Sequence, residues 1–212
     1  MKRVFFTMVL TIVTLISTAQ HIEITPMGSY SFIGGMHFYE GELDIRDNAG
    51  YGLKIGFSPL EHSVLEFSYI GNITTSEWEP YRSFGPNFRG KEIDLSINYF
   101  TIGLQQERML TSEKVYGFGG LGLGMSYISP LESGIDDLYS MAVTIDLGIK
   151  VFLTDRIGIR IQADLQTPIY FAGIGFYAGI GTGGTSSGLS LNSGSYFVQG
   201  GFSAGIIFRL GE

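Results

Sequence analysis

The sequence predicts an all-β chain: an eight-stranded antiparallel up-and-down transmembrane β-barrel. Three observations predict it. Apolar and polar residues alternate with period two in eight segments, which places successive side chains on opposite faces of a strand. Long and short connections alternate between the segments, as in a barrel with long loops outside the cell and short turns in the periplasm. The polar face carries few charges, and those are nearly balanced.

The N-terminus is set aside first. Lys2 and Arg3 precede an almost unbroken apolar stretch from Val4 to Ile16, and Ser17-Thr18-Ala19 places small residues before Gln20. That is the layout of a secretory signal peptide, residues 1–19, cut after Ala19, which leaves 20–212 as one barrel domain. Cleavage removes two positive charges and no negative ones, so the net charge moves from −7 to −9. An acidic chain lacks the basic footprint that nucleic-acid binding requires. With no cysteine, neither disulfides nor a cysteine-linked lipid anchor is available. Abundant glycine (31 residues) with 14% aromatics suits strands and tight turns and suits a helical bundle poorly.

The strands follow in order. Ile22, Ile24, Tyr30 and Phe32 share a face opposite Glu23, Thr25, Ser29 and Ser31. Tyr51, Leu53, Ile55 and Phe57 oppose Gly52, Lys54, Gly56 and Ser58; Leu65, Phe67 and Tyr69 oppose Glu66 and Ser68. Ile93, Leu95, Ile97 and Tyr99 oppose Asp94, Ser96 and Asn98, but the pattern is lost near Phe100, Ile102 and Leu104, which predicts a bulge or a bulky lumen plug there. Leu121, Leu123, Met125 and Tyr127 oppose Gly120, Gly122, Gly124 and Ser126. The cleanest alternation runs from Met141 to Val151 and from Ile157 to Leu165, separated by the short turn Leu153-Thr154-Asp155-Arg156. The last strand sets Tyr196, Val198, Phe202, Ala204, Ile206 and Phe208 against Gln199, Ser203 and Arg209. Segments 33–48, 75–90, 129–140 and 168–195 are the long loops; 59–62, 107–114 and 153–156 are the short turns.

Alternation alone does not say which face points inward. The apolar face is almost free of charge over the ~9–11 residues that cross a bilayer at the usual tilt. The polar face is mostly Gly, Ser and Thr, too poor in charge for a soluble surface, which is typically about a quarter charged or more. It carries Glu23, Glu66, Asp94, Asp146 and Asp164 against Lys54, Lys150, Arg160 and Arg209. An eight-stranded barrel is just wide enough for side chains to fill it, and enclosed ions must be paired. These nine residues are therefore read as a lumen charge network, although each taken singly could be a solvated surface ion. Tyr30, Phe32, Tyr51, Tyr127 and Tyr196 near the long loops, with Phe57, Phe152 and Phe208 near the short turns, are placed as interfacial aromatic girdles.

The stretch Ile24-Thr25-Pro26-Met27-Gly28-Ser29-Tyr30, the Gly117 to Gly124 strand, and the Gly-rich 181–195 loop before Ala204-Gly205-Ile206-Ile207-Phe208 resemble the outer-membrane β-barrel domain family of small OmpA/OmpX-like proteins of Gram-negative bacteria. The resemblance covers essentially all of residues 20–212. It implies a location in the outer membrane and insertion by the barrel-assembly machinery, which reads a terminal aromatic; Phe208 and Leu210 are in that register, with Gly211 and Glu212 following. The family shares no catalytic residues to carry over.

Motifs for chemistry are few. Two glycine runs, 117–122 and 179–184, match the dinucleotide fingerprint, but no helical pattern follows either one, so no cofactor is expected. The histidines are His21, His37 and His62. Only His37, near Glu40, Glu42 and Asp44 in the first long loop, is placed for extracellular acid–base chemistry; an acidic solvated loop explains it better, and because the acids show no EF-hand spacing no metal is expected. Trp78, Tyr81, Arg82, Phe84 and Arg89 in the second loop are the residue types enriched at binding hot spots. The leading expectation is a non-enzymatic barrel with a filled lumen, acting as scaffold or binding module through its loops. Its partners would be outer-membrane lipid and a protein engaged by the loops. A narrow channel, a soluble periplasmic lipid-binding barrel and an envelope enzyme using His37 are the alternatives.

Overall fold

In a computed structural model the described residues are 21–33, 36–37, 41–60, 62–80, 91–132, 137–169, 174–181, 184–191 and 198–211. The expected signal peptide lies outside them, as does Tyr196. The described strands are β1 (Ile22–Ile33), β2 (Met36–His37), β3 (Gly41–Ile45), β4 (Asn48–Leu60), β5 (Ser63–Pro80), β6 (Lys91–Met109), β7 (Val115–Pro130), β8 (Leu138–Phe152), β9 (Ile157–Ile169), β10 (Ile174–Gly181), β11 (Gly184–Leu191) and β12 (Gln199–Leu210). Eight of them close a ring in the order β1-β4-β5-β6-β7-β8-β9-β12 and back to β1, with every pairing antiparallel. The expected eight-stranded barrel is therefore present.

Two connections hold more structure than their composition suggested. In the first, β2 and β3 form a small extension, and β3 pairs with the far end of β5 from Gly41↔Pro80 to Ile45↔Ser76. In the last, β10 and β11 form a separate hairpin. Residues 75–80, expected in a loop, continue β5. At 18 and 19 residues, β5 and β6 are about twice the length needed to cross a bilayer, so their hairpin carries paired strand well beyond it.

Short turns have local causes. In the 153–156 turn the Leu153 and Thr154 amides donate to the Ile157 carbonyl at 2.9 and 3.1 Å. The Thr154 hydroxyl accepts from the Ile157 amide at 3.0 Å, the side-chain-to-backbone bond that favours Thr in tight turns. The ladder at the seam between β1 and β12 has a gap: it pairs Ile24 with Phe208 and Met27 with Gly205 but skips Thr25 and Pro26. Pro26 has no N–H to give.

The burial pattern is inverted relative to a soluble protein. Leu121, Leu123, Leu147, Ile161 and Phe202 are each more than half exposed on the outer wall, while Arg160, Lys54, Lys150, Gln105 and Gln162 are among the largest fully buried side chains. The outer wall carries aromatic pairs toward the long-loop end: Phe32 with Phe202 at 6.0 Å, Tyr69 with Phe100 at 4.9 Å, and Tyr127 with Tyr139 at 4.8 Å between ring centroids. Phe57 and Phe208 lie on the outer wall as expected, but Phe152 does not. It is buried inside, one position out of phase with its outward neighbour Val151.

The fourth barrel strand contains no bulge. β6 pairs with β5 in unbroken register from Ser63↔Gln106 to Trp78↔Lys91. What changes is the environment along the strand. Toward the long loops Leu95, Ile97 and Tyr99 point inward and, with Ile45, Ile128 and Ala142, form an apolar core across the mouth of the barrel. Farther down, Thr101 and Gln105 keep the same inward phase, while Phe100, Ile102 and Leu104 face out. Ile97 is fully buried in that upper core. Replacing it with Ala should destabilise the barrel by about 2–4 kcal/mol, measured as a lowered urea midpoint.

Candidate functional site

The inward positions of the ring bring distant parts of the chain together. Near the short-turn end Glu23 of β1 faces Arg209 of β12 across the seam, and Arg209 donates to Glu23 Oε1 from Nη2 at 2.8 Å and from Nε at 3.2 Å. Lys150 Nζ reaches the other oxygen of Glu23 at 2.6 Å and also bonds Glu107. Gln105 donates to that same Glu107 at 2.6 Å. The Arg209 guanidinium lies 3.8 Å from the Phe152 ring centroid, so the aromatic expected among lipids instead covers a cation.

One turn of the ring higher, Lys54 Nζ donates to Glu66 at 2.9 Å and to Asp146 at 2.6 Å. Both terminal nitrogens of Arg160 donate to Glu66, Nη2 to Oε1 at 3.2 Å. Arg160 further donates to Gln105 at 3.0 Å and to Gln162, and its guanidinium stacks 4.4 Å from the Phe118 centroid. Four of the five N–H donors of the guanidinium fork thus have acceptors and one of its faces is covered, which is how Arg tolerates being 1% exposed. Asp164, opposite Asp146 across β8 and β9, accepts from Ser203 and Gln162. Above these, Gln199 joins Ser31 at 2.8 Å and Tyr99 at 3.2 Å, linking the polar interior to the apolar mouth.

Eight of the nine residues assigned to the lumen point inward: Glu23, Lys54, Glu66, Asp146, Lys150, Arg160, Asp164 and Arg209. Asp94 does not. It is exposed at the loop end of β6 and accepts from Thr75 at 2.9 Å, because the inward phase of β6 is that of Leu95 and Ile97. Glu107 takes its place, with its side chain only 8% exposed. It was missed because residue 107 was counted in a turn, although Thr101, Gln105 and Glu107 alternate with Ile102, Leu104 and Gln106. The tally of five acids and four bases is unchanged by the exchange. Of the loop candidates, Trp78 sits in β5 opposite Lys91, and Tyr81, Arg82, Phe84 and Arg89 lie outside the described residues. His37 falls in β2.

One constellation that was not anticipated has the residue types of a hydrolase. Ser58 Oγ lies 2.9 Å from His21 Nε2, and Glu23 Oε1 lies 3.6 Å from that same nitrogen. A triad needs the base to use one ring nitrogen for the nucleophile and the other for the carboxylate, which this arrangement does not provide. Ser58 is also buried. Burial, followed by the Arg209 guanidinium, holds the His21 pKa below its ordinary value.

An apolar outer wall around an ion-paired interior is the arrangement of a strand-built membrane protein. The chain is a membrane-spanning β-barrel. Solved structures agree on the fold. The outer membrane protein OprG from Pseudomonas aeruginosa superposes with a TM-score of 0.59 at 11% identity, covering 92% of this chain and 97% of that one. Neisserial surface protein A gives 0.53 at 11% identity, covering 88% and 96%. No family model and no curated protein matches the sequence.

Proposed function

We propose that this barrel lies in the outer membrane, is closed, non-enzymatic and non-conducting, and serves as a scaffold or binding module whose long loops engage a protein partner. The observation that carries the reading is the chain Asp146–Lys54–Glu66–Arg160, which runs from β8 through β4 and β5 to β9 across the interior. An ion that is paired and hydrogen-bonded on several sides is a poor lining for a water path, and the apolar layer of Ile97, Leu95 and Ile128 stands above it. The lumen therefore leaves activity to the extracellular side, where Trp78, Tyr81, Arg82, Phe84 and Arg89 supply hot-spot residue types.

Single-channel recording in planar bilayers tests this. The wild-type barrel should give no steady conductance, whereas Lys150→Ala combined with Arg160→Ala should open stable currents. Steady currents from the wild type would favour the narrow channel instead.

A further inference from the structure

On the outward face of β7 the residues toward the short turns read Val115, Gly117, Gly119, Leu121 and Leu123. Gly117 is covered by Leu110, whose side-chain carbons lie 3.2–3.4 Å from where a Cβ would stand, but Gly119 interrupts a wall that elsewhere bears large apolar side chains. The result is a groove of about 910 Å³ in the outer wall, floored by backbone at Gly119 and flanked by Leu104, Leu121, Ile145 and Leu147. It reaches from Gln106 to Ile102 along β6, four residues or about 13 Å of strand. At the usual strand tilt of about 40° that spans about 10 Å of the ~15 Å of a single leaflet, half of a ~30 Å hydrocarbon core.

Beyond the end of the groove nearest the short turns the wall is charged. Arg108 is the cross-strand partner of Gly117, just as Gln106 is the partner of Gly119. It shares the outward phase of Ile102 and Leu104, is exposed, and among the described residues has no ion-pair partner. Lys114, also exposed, follows in the adjoining turn. An apolar groove spanning most of a leaflet, with an exposed guanidinium one outward position beyond its end, matches one molecule in its surroundings: a phospholipid with an acyl chain along Gly119 and its phosphate on Arg108.

We propose that the wall formed by β6, β7 and β8 holds a specific phospholipid of the periplasmic leaflet in this way. The barrel in detergent micelles, titrated with a phosphatidylglycerol or with the diacylglycerol of the same acyl chains and followed by native mass spectrometry, tests the proposal. The wild type should retain one phosphatidylglycerol about tenfold more tightly than the diacylglycerol. Arg108→Gln should abolish that difference. Gly119→Leu should weaken both lipids at least tenfold; a side chain there meets the tip of Leu147, 3.1 Å from the new Cβ, and the Asp146 carbonyl oxygen at an ordinary 4.0 Å, and heat-modifiable gel mobility checks that the variant folds. Equal affinity of the wild type for the two lipids, or unchanged retention in Gly119→Leu, would overturn the site. So would a wild-type dimer that Gly119→Leu dissolves, since the groove would then be a contact between copies.

Discussion

Arg160→Ala should lower the stability of the barrel by about 3–5 kcal/mol, the usual loss when one partner of a buried ion pair is removed. The substitution strips Glu66 of its two guanidinium bonds and leaves the carbonyl oxygens of Gln105 and Gln162 without their donor. It also uncovers the face of Phe118. Glu66 keeps Lys54, but Lys54 already holds Asp146, so one cation would then serve two carboxylates. Urea unfolding followed by the fluorescence of Trp78, the single tryptophan, measures the change. The double variant Glu66→Gln with Arg160→Met removes both charges of the pair together and should recover more than half of the loss. A single variant that unfolds at the wild-type midpoint would show that the interior is wet enough to solvate the orphaned acid.

An effect of similar size is expected at a residue with no side chain. Gly103 faces Gly122 across β6 and β7, and a Cβ on Gly103 would lie 2.6 Å from the Leu121 carbonyl oxygen and 2.9 Å from the Gly122 Cα. Both are backbone atoms of the neighbouring strand, so nothing flexible can yield. Gly103→Val should destabilise by more than about 4 kcal/mol or prevent folding altogether, seen as loss of the heat-modifiable band. Gly120 is the control. A Cβ there meets Leu104 oxygen at 3.4 Å and Gln105 Cβ at 3.5 Å, ordinary contacts, and Gly120→Ala should stay within about 1 kcal/mol of the wild type. If both variants behave alike, the close approach of the two strands is not what requires glycine at 103.

The parts of this molecule that were legible in its sequence are those where one rule holds along a whole strand. From Met141 to Val151 and from Ile157 to Leu165 every outward residue is apolar and every inward one small or polar, so Asp146, Lys150, Arg160 and Asp164 could be assigned inward without a structure. β6 obeys two rules in succession. Its inward row is apolar at Leu95, Ile97 and Tyr99 and polar from Thr101 to Glu107, because the interior itself changes from an apolar mouth to an ionic middle. Period-two reasoning assigns a face by polarity and so reverses the phase where the interior is apolar; that error put Asp94 inside, while Glu107 was lost by ending the strand before it. Phe152 failed for a related reason, since an aromatic near a strand end suggests an interface and nothing local announces that Arg209 lies beneath it. Which carboxylate meets which cation was not legible at all: Lys150 and Glu23 are 127 residues apart, and their contact depends on the ring being closed.

The seam between β1 and β12 differs from the other seven in what it demands of the chain. Those seven join neighbours around a meander, each bridged by one connection, and can form from contacts that are comparatively local. The last joins Ile22 to Leu210, so its entropy of closure is that of nearly the whole polypeptide, and in a folding sequence such a contact comes late. It is also the seam interrupted at Pro26. The Glu23–Arg209 pair lies across it three residues away, and Lys150 binds the same Glu23 from a third strand. Ring closure and assembly of the lower ion cluster are thus one event: until the two ends of the chain meet, Lys150 and Glu107 have no Glu23 to complete them, and once they meet, the cluster latches the edge that lacks a hydrogen bond.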